Sequence, residues 1–477
     1  MLFSILSTAV TLASIPAALA DIVITIDPSS KWGTWEGWGT SLAWWAKAFG
    51  DRDDLASAFF STQWQMFQGN DLPGLGFNIA RYNAGASSHK SHNGMAVSPN
   101  IKPSRQIEGF WQDGASPDPS SSSWDWSVDT KQRMMLHKAK KRGAYIFELF
   151  SNSPMWWMCG NHNPSGNGLE DNLPSKNYKQ HAIYMATVDQ HARQNWGIEF
   201  QSVEPFNEPS SSWGADGTQE GCHFEVGAMD QVTALLKAEL SKRGSRSFIA
   251  ASDETSYDAA ISTWGKMQSA TKAAINRINV HGYQGGGGRR DTLYSLAKQY
   301  NKALWNSEYG DEEGTGRRMA MNLLMDFFSL HPTAWSYWQA VDGGGWGLIA
   351  GDNDAKSLTN VNTKYFVLAQ FSRHIRPGMT MLGSNNPNTV AAWNPKNRVL
   401  AIVAGNWGPA QVHEFDLSKF KQNWKDGDLV KTWTTVVDGS KKYQREKNFF
   451  IQGTRFRSWL EKDSVQTFEI RGVTLSK

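Results

Sequence analysis

The chain has only two cysteines in 477 residues, Cys159 and Cys222, so one disulfide at most is available to it. Charge is also scarce. Asp, Glu, Lys and Arg together make 19% of the residues and the formal net charge is +3, a balance that argues against a nucleic-acid binder. After residue 20 no run of 18 apolar residues occurs, so no membrane-spanning helix is expected. HExxH, CxxC and nucleophile-elbow patterns are missing, as is any Asn-x-Ser/Thr sequon without an intervening proline. The run Gly345-Trp346-Gly347-Leu348-Ile349-Ala350 matches a dinucleotide fingerprint by letter. It opens no helix within a βαβ unit, which the fingerprint requires. No metal and no cofactor is expected.

What the chain has in quantity is aromatic surface, with 23 Trp and 12 Tyr. Sugars present C–H faces that stack on flat rings, so this composition predicts rings exposed in a cleft. Residues 1–20, MLFSILSTAVTLASIPAALA, form an interrupted apolar run ending in small residues. They read as a signal peptide, although no Lys or Arg precedes the run, and predict a secreted protein. Charge is unevenly spread: from Gly378 onward there are 15 Lys and Arg against 9 Asp and Glu, leaving 33 against 36 in the rest. A solvated basic face is the reading preferred over a polyanion site.

Length and rhythm set the architecture. Residues 21–29 alternate like a strand and stop at Pro28. Further strands are expected near Trp38, Gly76, Ala144, Phe200, Ser247, Ala274, Ala303 and Ala334, with helices near 129–142, 178–196, 224–243, 290–300, 317–330 and 364–374. Eight strands, most followed by a helix, predict an α/β fold built on a (β/α)₈ TIM barrel. An open doubly wound sheet is the alternative, and no glycine-rich phosphate turn after the first strand supports it. Beyond Pro377 short alternating runs divided by Asn, Pro, Gly and Lys predict a C-terminal β-sandwich domain. The expected division is signal 1–20, an N-terminal strand at 21–30 joining the sandwich, barrel 31–377 and sandwich 378–477.

Two strand ends carry the chemistry. Residues 200–209, FQSVEPFNEP, alternate and then stop at Asn207-Glu208-Pro209, where proline biases Glu208 to an extended backbone. Residues 303–310, ALWNSEYG, end in a second glutamate, Glu308. Carboxylates facing each other across a cleft are the equipment of glycoside hydrolysis. The other strand ends offer Trp38, Arg81 with Asn83, Asn152 with Trp156, His281 with Tyr283, and Trp338. Asn207 can hold a sugar hydroxyl, and Arg81 can keep a neighbouring glutamate ionised. The Gly285–Gly288 run reads as a loop over the cleft. Cys159 and Cys222 have His162 and His223 beside them; a disulfide between the two loops is expected, a zinc cluster being the alternative.

Asn207-Glu208-Pro209, Glu308, Arg81-Tyr82-Asn83 and His281-Gly282-Tyr283 resemble the clan A glycoside hydrolases. Within that clan, Glu36-Gly37-Trp38-Gly39, residues 151–158 (SNSPMWWM) and a sandwich built from both chain ends resemble glycoside hydrolase family 30, and there the fungal endo-β-1,6-galactanases. The resemblance implies Glu208 as acid/base and Glu308 as nucleophile of a retaining mechanism. It implies a monomer whose partner is a β-1,6-galactan polysaccharide, with no nucleic acid or membrane; a β-1,6-glucanase or xylan-type hydrolase on the same scaffold, or a non-catalytic carbohydrate-binding protein, is the alternative. One departure is Phe206, where many members carry Gln before the acid/base Asn.

Overall fold

The computed structural model describes residues 22–88, 94–421, 423–447 and 449–475. The expected signal segment, residues 1–20, lies outside them. Eight strands form the centre: β2 (Gly37–Ser41), β3 (Ile79–Asn83), β4 (Ile146–Phe150), β5 (Ser202–Glu204), β6 (Phe248–Glu254), β7 (Ile275–His281), β8 (Ala303–Tyr309) and β9 (Ala334–Gln339). They pair in that order, and β9 closes on β2 to make a barrel. Every pairing is parallel. Helices such as Thr130–Lys141, Tyr178–His191, Val226–Lys242 and Arg317–Met325 lie between successive strands.

Two strands are shorter than their sequence suggests. Phe200 is buried outside β5, whose three residues stop before Pro205, as an imino nitrogen cannot extend the ladder. Gly76 turns with φ +64, and β3 begins only at Ile79. The glycines of β2 are explained by close approach. A Cβ on Gly39 would sit 2.6 Å from Ile79 Cβ of the next strand, so only hydrogen fits there.

The strand β1 (Ile22–Thr34) precedes the barrel and belongs to a second sheet system with β10 (Thr380–Ser384), β11 (Thr389–Asn394), β12 (Val399–Asn406), β13 (Gln411–Asp416), β14 (Leu429–Val436), β15 (Arg455–Leu460) and β16 (Ser464–Arg471). The order is β14-β16-β12-β11-β10-β1-β13-β15. Its first residues pair parallel with β13 and its later ones antiparallel with β10, so β1 joins the two layers of the sandwich. Phe415, Phe456 and Phe468 meet between the layers with centroids 4.7–5.1 Å apart. Helix Thr363–Ser372 is buried along almost its whole length between barrel and sandwich. Gln370 Nε2 donates to Thr435 Oγ1 at 2.9 Å, and Thr467 Oγ1 donates to the Gln370 carbonyl at 2.8 Å.

The expectation of cleft-exposed tryptophans holds for only part of the set. Trp35, Trp38, Trp45, Trp111, Trp305 and Trp335 are fully buried or nearly so. These rings fill the space around the barrel, where a large apolar side chain gains most from burial.

Candidate active site

The C-terminal ends of the barrel strands converge on one charged network. Glu208 follows β5 with a left-handed backbone, φ +47, rather than the extended one expected before Pro209; this conformation costs on the order of 1–3 kcal/mol and is kept only where its surroundings hold it. Here the Glu208 N–H donates to the Asp253 carbonyl at 2.8 Å, and Trp213 Nε1 donates to the Glu208 carbonyl at 3.2 Å. The Glu208 carboxylate takes His281 Nδ1 at 3.1 Å. Across from it, Glu308 Oε2 accepts from Arg81 Nη1 at 2.9 Å and Oε1 from the Tyr283 hydroxyl at 2.9 Å. One donor atom from each of Glu208, His281 and Glu308 falls within 4.8 Å of the others.

Burial and charge oppose each other throughout. Burial raises Glu308 above the ordinary carboxyl range, while the cations of His281 and Arg81 pull it back. Burial disfavours the His281 cation, but Glu308 and Asp253 override this and lift it to about 10. Asp253 resists burial through Arg81 and His281 and is held down at about 2. Arg81 contacts Asp253 and Glu148 as well as Glu308, and stays cationic despite complete burial. Between the two glutamates the cationic imidazole acts as a hydrogen-bond donor.

A cleft of about 430 Å³ opens above the two glutamates. Trp44, Trp213, Trp338, Trp346 and Tyr283 supply its flat walls, and Asn207, Gln219, Thr255, Arg105 and Asp342 its polar edges. Trp44 stands 5.0 Å from Trp338 at 78°, and the Arg105 guanidinium lies 4.3 Å from the Trp44 ring centroid. Trp346 lies against Gly310, where a Cβ would come 3.1 Å from its ring. A groove of rings with polar edges suits sugar units, and an adjacent carboxylate pair suits the bond between them.

The description O-Glycosyl hydrolase family 30 matches residues 21–274. The chain is 60% identical over 461 residues to an endo-beta-1,6-galactanase of Hypocrea rufa, covering 96% of each. It belongs to glycoside hydrolase family 30. Solved structures of the same fold include a conserved exported protein from Bacteroides fragilis, at TM-score 0.77 and 18% identity, covering 94% of this chain and all of that one. A family 30 subfamily 8 xylanase from Clostridium acetobutylicum superposes with TM-score 0.69 at 20% identity, covering 94% and 99%.

In this family 30 barrel the expected residues divide in two. Glu208, Glu308, Arg81, Asn207, His281, Tyr283 and Trp338 meet at the cleft or directly beneath it. Trp38, Asn83, Asn152 and Trp156 do not line it. Trp38 is fully buried, donates Nε1 to the Ile375 carbonyl at 2.7 Å and packs on Trp35, Phe327 and Phe371. Its β2 position turns it outward to the helices, since side chains alternate along a strand. Asn83 Oδ1 accepts the Asn152 backbone N–H at 3.3 Å, which fixes the loop after β4. Trp156 Nε1 donates to the Gln112 carbonyl at 3.1 Å.

Cys159 and Cys222, expected as a disulfide, are free and buried in this structure. Cys159 Sγ lies 3.5 Å from the Pro154 carbonyl and Cys222 Sγ 3.3 Å from that of His223. Burial pushes the Cys159 thiol up to about 12 and raises that of Cys222 well above its usual value. Nor do these cysteines gather with His162 and His223 into a metal-binding group among the described residues.

Sequence reasoning missed Asp253, Trp44, Arg105, Trp213 and Trp346. Asp253 lies at the C-terminal end of β6 with φ +55, and a carboxylate at a strand end was the available signal. Trp346 lay inside the run set aside as a dinucleotide look-alike.

Proposed function

We propose that the protein is a secreted endo-hydrolase of β-1,6-linked galactan that retains anomeric configuration by double displacement. The observation carrying this is the approach of Glu208 and Glu308 oxygens to within 4.8 Å across a tryptophan-walled cleft. Retaining pairs stand about 5–5.5 Å apart, inverting pairs about 6.5–9.5 Å. The galactan specificity rests on the name of the 60% identical relative, and secretion on the composition of residues 1–20.

In this reading Glu308 is the nucleophile. Its two oxygens accept from Arg81 and Tyr283, which favours the ionised form and aims one lone pair into the cleft. Glu208, the partly exposed member of the pair, gives its proton to the leaving oxygen as the Glu308 oxygen bonds the anomeric carbon. Water then adds to that carbon and returns a proton to Glu208, and the ester electron pair returns to Glu308. Asn207, beside the acid in the cleft wall, is placed for a sugar hydroxyl. The units are residues 31–377 for catalysis and 378–477 with 21–30 for support.

The test is product analysis on β-1,6-galactan, β-1,6-glucan and xylan. Release of short β-1,6-galacto-oligosaccharides from galactan alone, with β configuration at first appearance by proton NMR, is the expected result. Release from glucan or xylan at a matching rate would overturn the specificity, and an α product would overturn the mechanism.

A further inference from the structure

His281 stands between the two glutamates rather than beside one of them. Its Nδ1 is 3.1 Å from Glu208 Oε1 and 3.5 Å from Glu308 Oε1. On the far side its Nε2 lies 3.3 Å from Asp253 Oδ1. The ring is fully buried, so water does not compete for its N–H groups. We propose that His281 is a positioning residue whose single Nδ1–H is shared by both glutamates and moves wholly to Glu208 while the glycosyl ester exists. This rests on the double-displacement reading of the same site.

The argument follows charge through the reaction. Before bond cleavage Glu308 is an anion and competes for the Nδ1–H. One Glu208 oxygen then remains to hold the proton destined for the leaving group. When the Glu308 oxygen bonds the anomeric carbon its negative charge is consumed, and an ester oxygen is a far weaker acceptor than a carboxylate. The Nδ1–H is left with Glu208 as its only anionic acceptor, at the step where Glu208 must be ionised to take a proton from water. When the ester breaks, the electron pair returns to Glu308 and the N–H is shared again. No proton leaves His281 at any point; only the acceptor of its hydrogen bond changes.

The surrounding groups hold the ring to that task. Asp253 and Glu254 face it from β6, Glu208 from the loop after β5, Glu308 from β8 and Tyr283 from just beyond β7. Arg81 from β3 bonds both Asp253 and Glu308. Asp253, further fixed by Ser307 Oγ at 2.5 Å, keeps the ring cationic while the charge on Glu308 comes and goes.

The experiment is His281→Asn, which keeps a donor near the Nδ1 position and removes the charge. The substrate is a dinitrophenyl β-1,6-galactobioside, whose good leaving group makes ester hydrolysis rate-limiting. Losing a cation at this range raises a carboxyl by roughly 1–3 pH units, so the acid limb of kcat is expected to move alkaline by that much. On that limb kcat falls roughly tenfold per unit, while the acid limb of kcat/KM, which reports Glu308 in the free enzyme, moves by less because Arg81 and Tyr283 still bond its two oxygens. Equal loss in kcat and kcat/KM with an unmoved limb would mean a structural role and overturn the proposal.

Trapping with an activated 2-deoxy-2-fluoro galactobioside separates the two readings. An adduct on Glu308 of the unaltered enzyme upholds double displacement, and its absence sinks both readings. Nitrogen-15 NMR of histidine-labelled, unaltered enzyme needs no variant to fold. A doubly protonated His281 at pH 6–8, with an Nδ1–H resonance that shifts on trapping, is expected. A neutral ring or an unshifted resonance would overturn the proposal.

Discussion

At the residue scale, the tryptophans divide by place, some packing the core and others walling the cleft. Trp38 and Trp45 donate to the Ile375 and Ser41 carbonyls, each at 2.7 Å, and both are core. Trp44 has no such bond and lies in the cleft wall with Trp338. Trp38→Ala is therefore expected to cost about 3–5 kcal/mol in urea unfolding with KM on galactan unchanged. Trp338→Ala should raise KM and lower stability together, because this ring lines the cleft and is also packed against Trp44 and Phe150; a raised KM in Trp38→Ala would refute the division. The glutamates should also fail differently. Glu208→Ala keeps the first step on an activated aryl glycoside, and azide should rescue its turnover as the β-azide. Glu308→Ala leaves no nucleophile, so azide enters from the other face and gives the α-azide; the opposite pair of adducts would mean reversed roles. The two glutamates were legible as strand-end carboxylates because Asn207-Glu208-Pro209 and the Glu308 strand end are short-range patterns. Trp44, Arg105 and Trp213 were not, since loops bring them to the cleft from far apart in the chain.

At the scale of elements, the strand positions were readable from alternation and the helices from their apolar spacing. Strand lengths were not, because Pro205 and Gly76 cut β5 and β3 short. Loop packing was hidden too, and Glu220 shows how. Its Oε1 accepts from the Ser87 N–H at 3.1 Å, the Ser87 hydroxyl at 2.7 Å and the Ile107 N–H at 3.1 Å. Three loops near the cleft, which Gln219 and Arg105 line, are tied by one buried carboxyl. Burial lifts Glu220 from 4.5 to about 7, against the pull of those donors. A folded value above the unfolded one means its stability is fully present below about 4.5 and lost as pH rises through 7. Glu220→Gln keeps the carbonyl acceptor and cannot ionise. Its Tm should match the unaltered protein near pH 5 and exceed it at pH 8, by an amount on the order of 3 kcal/mol in stability. Parallel Tm curves over that range would refute the assignment.

At the scale of the molecule, barrel and sandwich share structure rather than merely touching. The strand β1 runs through the sandwich and leads directly into β2, with Trp35 N–H bonded to the Met379 carbonyl at 2.8 Å and Gly378 N–H to the Trp35 carbonyl at 2.8 Å. Helix Thr363–Ser372 closes the barrel with one side and bonds β14 and β16 with the other. One continuous apolar cluster includes barrel residues such as Val203 and Tyr337 together with Val390, Val403 and Val465 of the sandwich. A core shared in this way couples the stabilities of its parts, so the sandwich should not melt alone. Ile26, fully buried between the sandwich layers, gives the test. Ile26→Ala should cost about 2–5 kcal/mol and move the loss of activity in guanidinium together with the loss of tryptophan fluorescence, although among the described residues none of the sandwich lines the cleft. A first transition that unfolds the sandwich while activity persists would show the barrel to be independent. Coincident transitions would identify the sandwich as part of what holds Glu208 and Glu308 at their working distance.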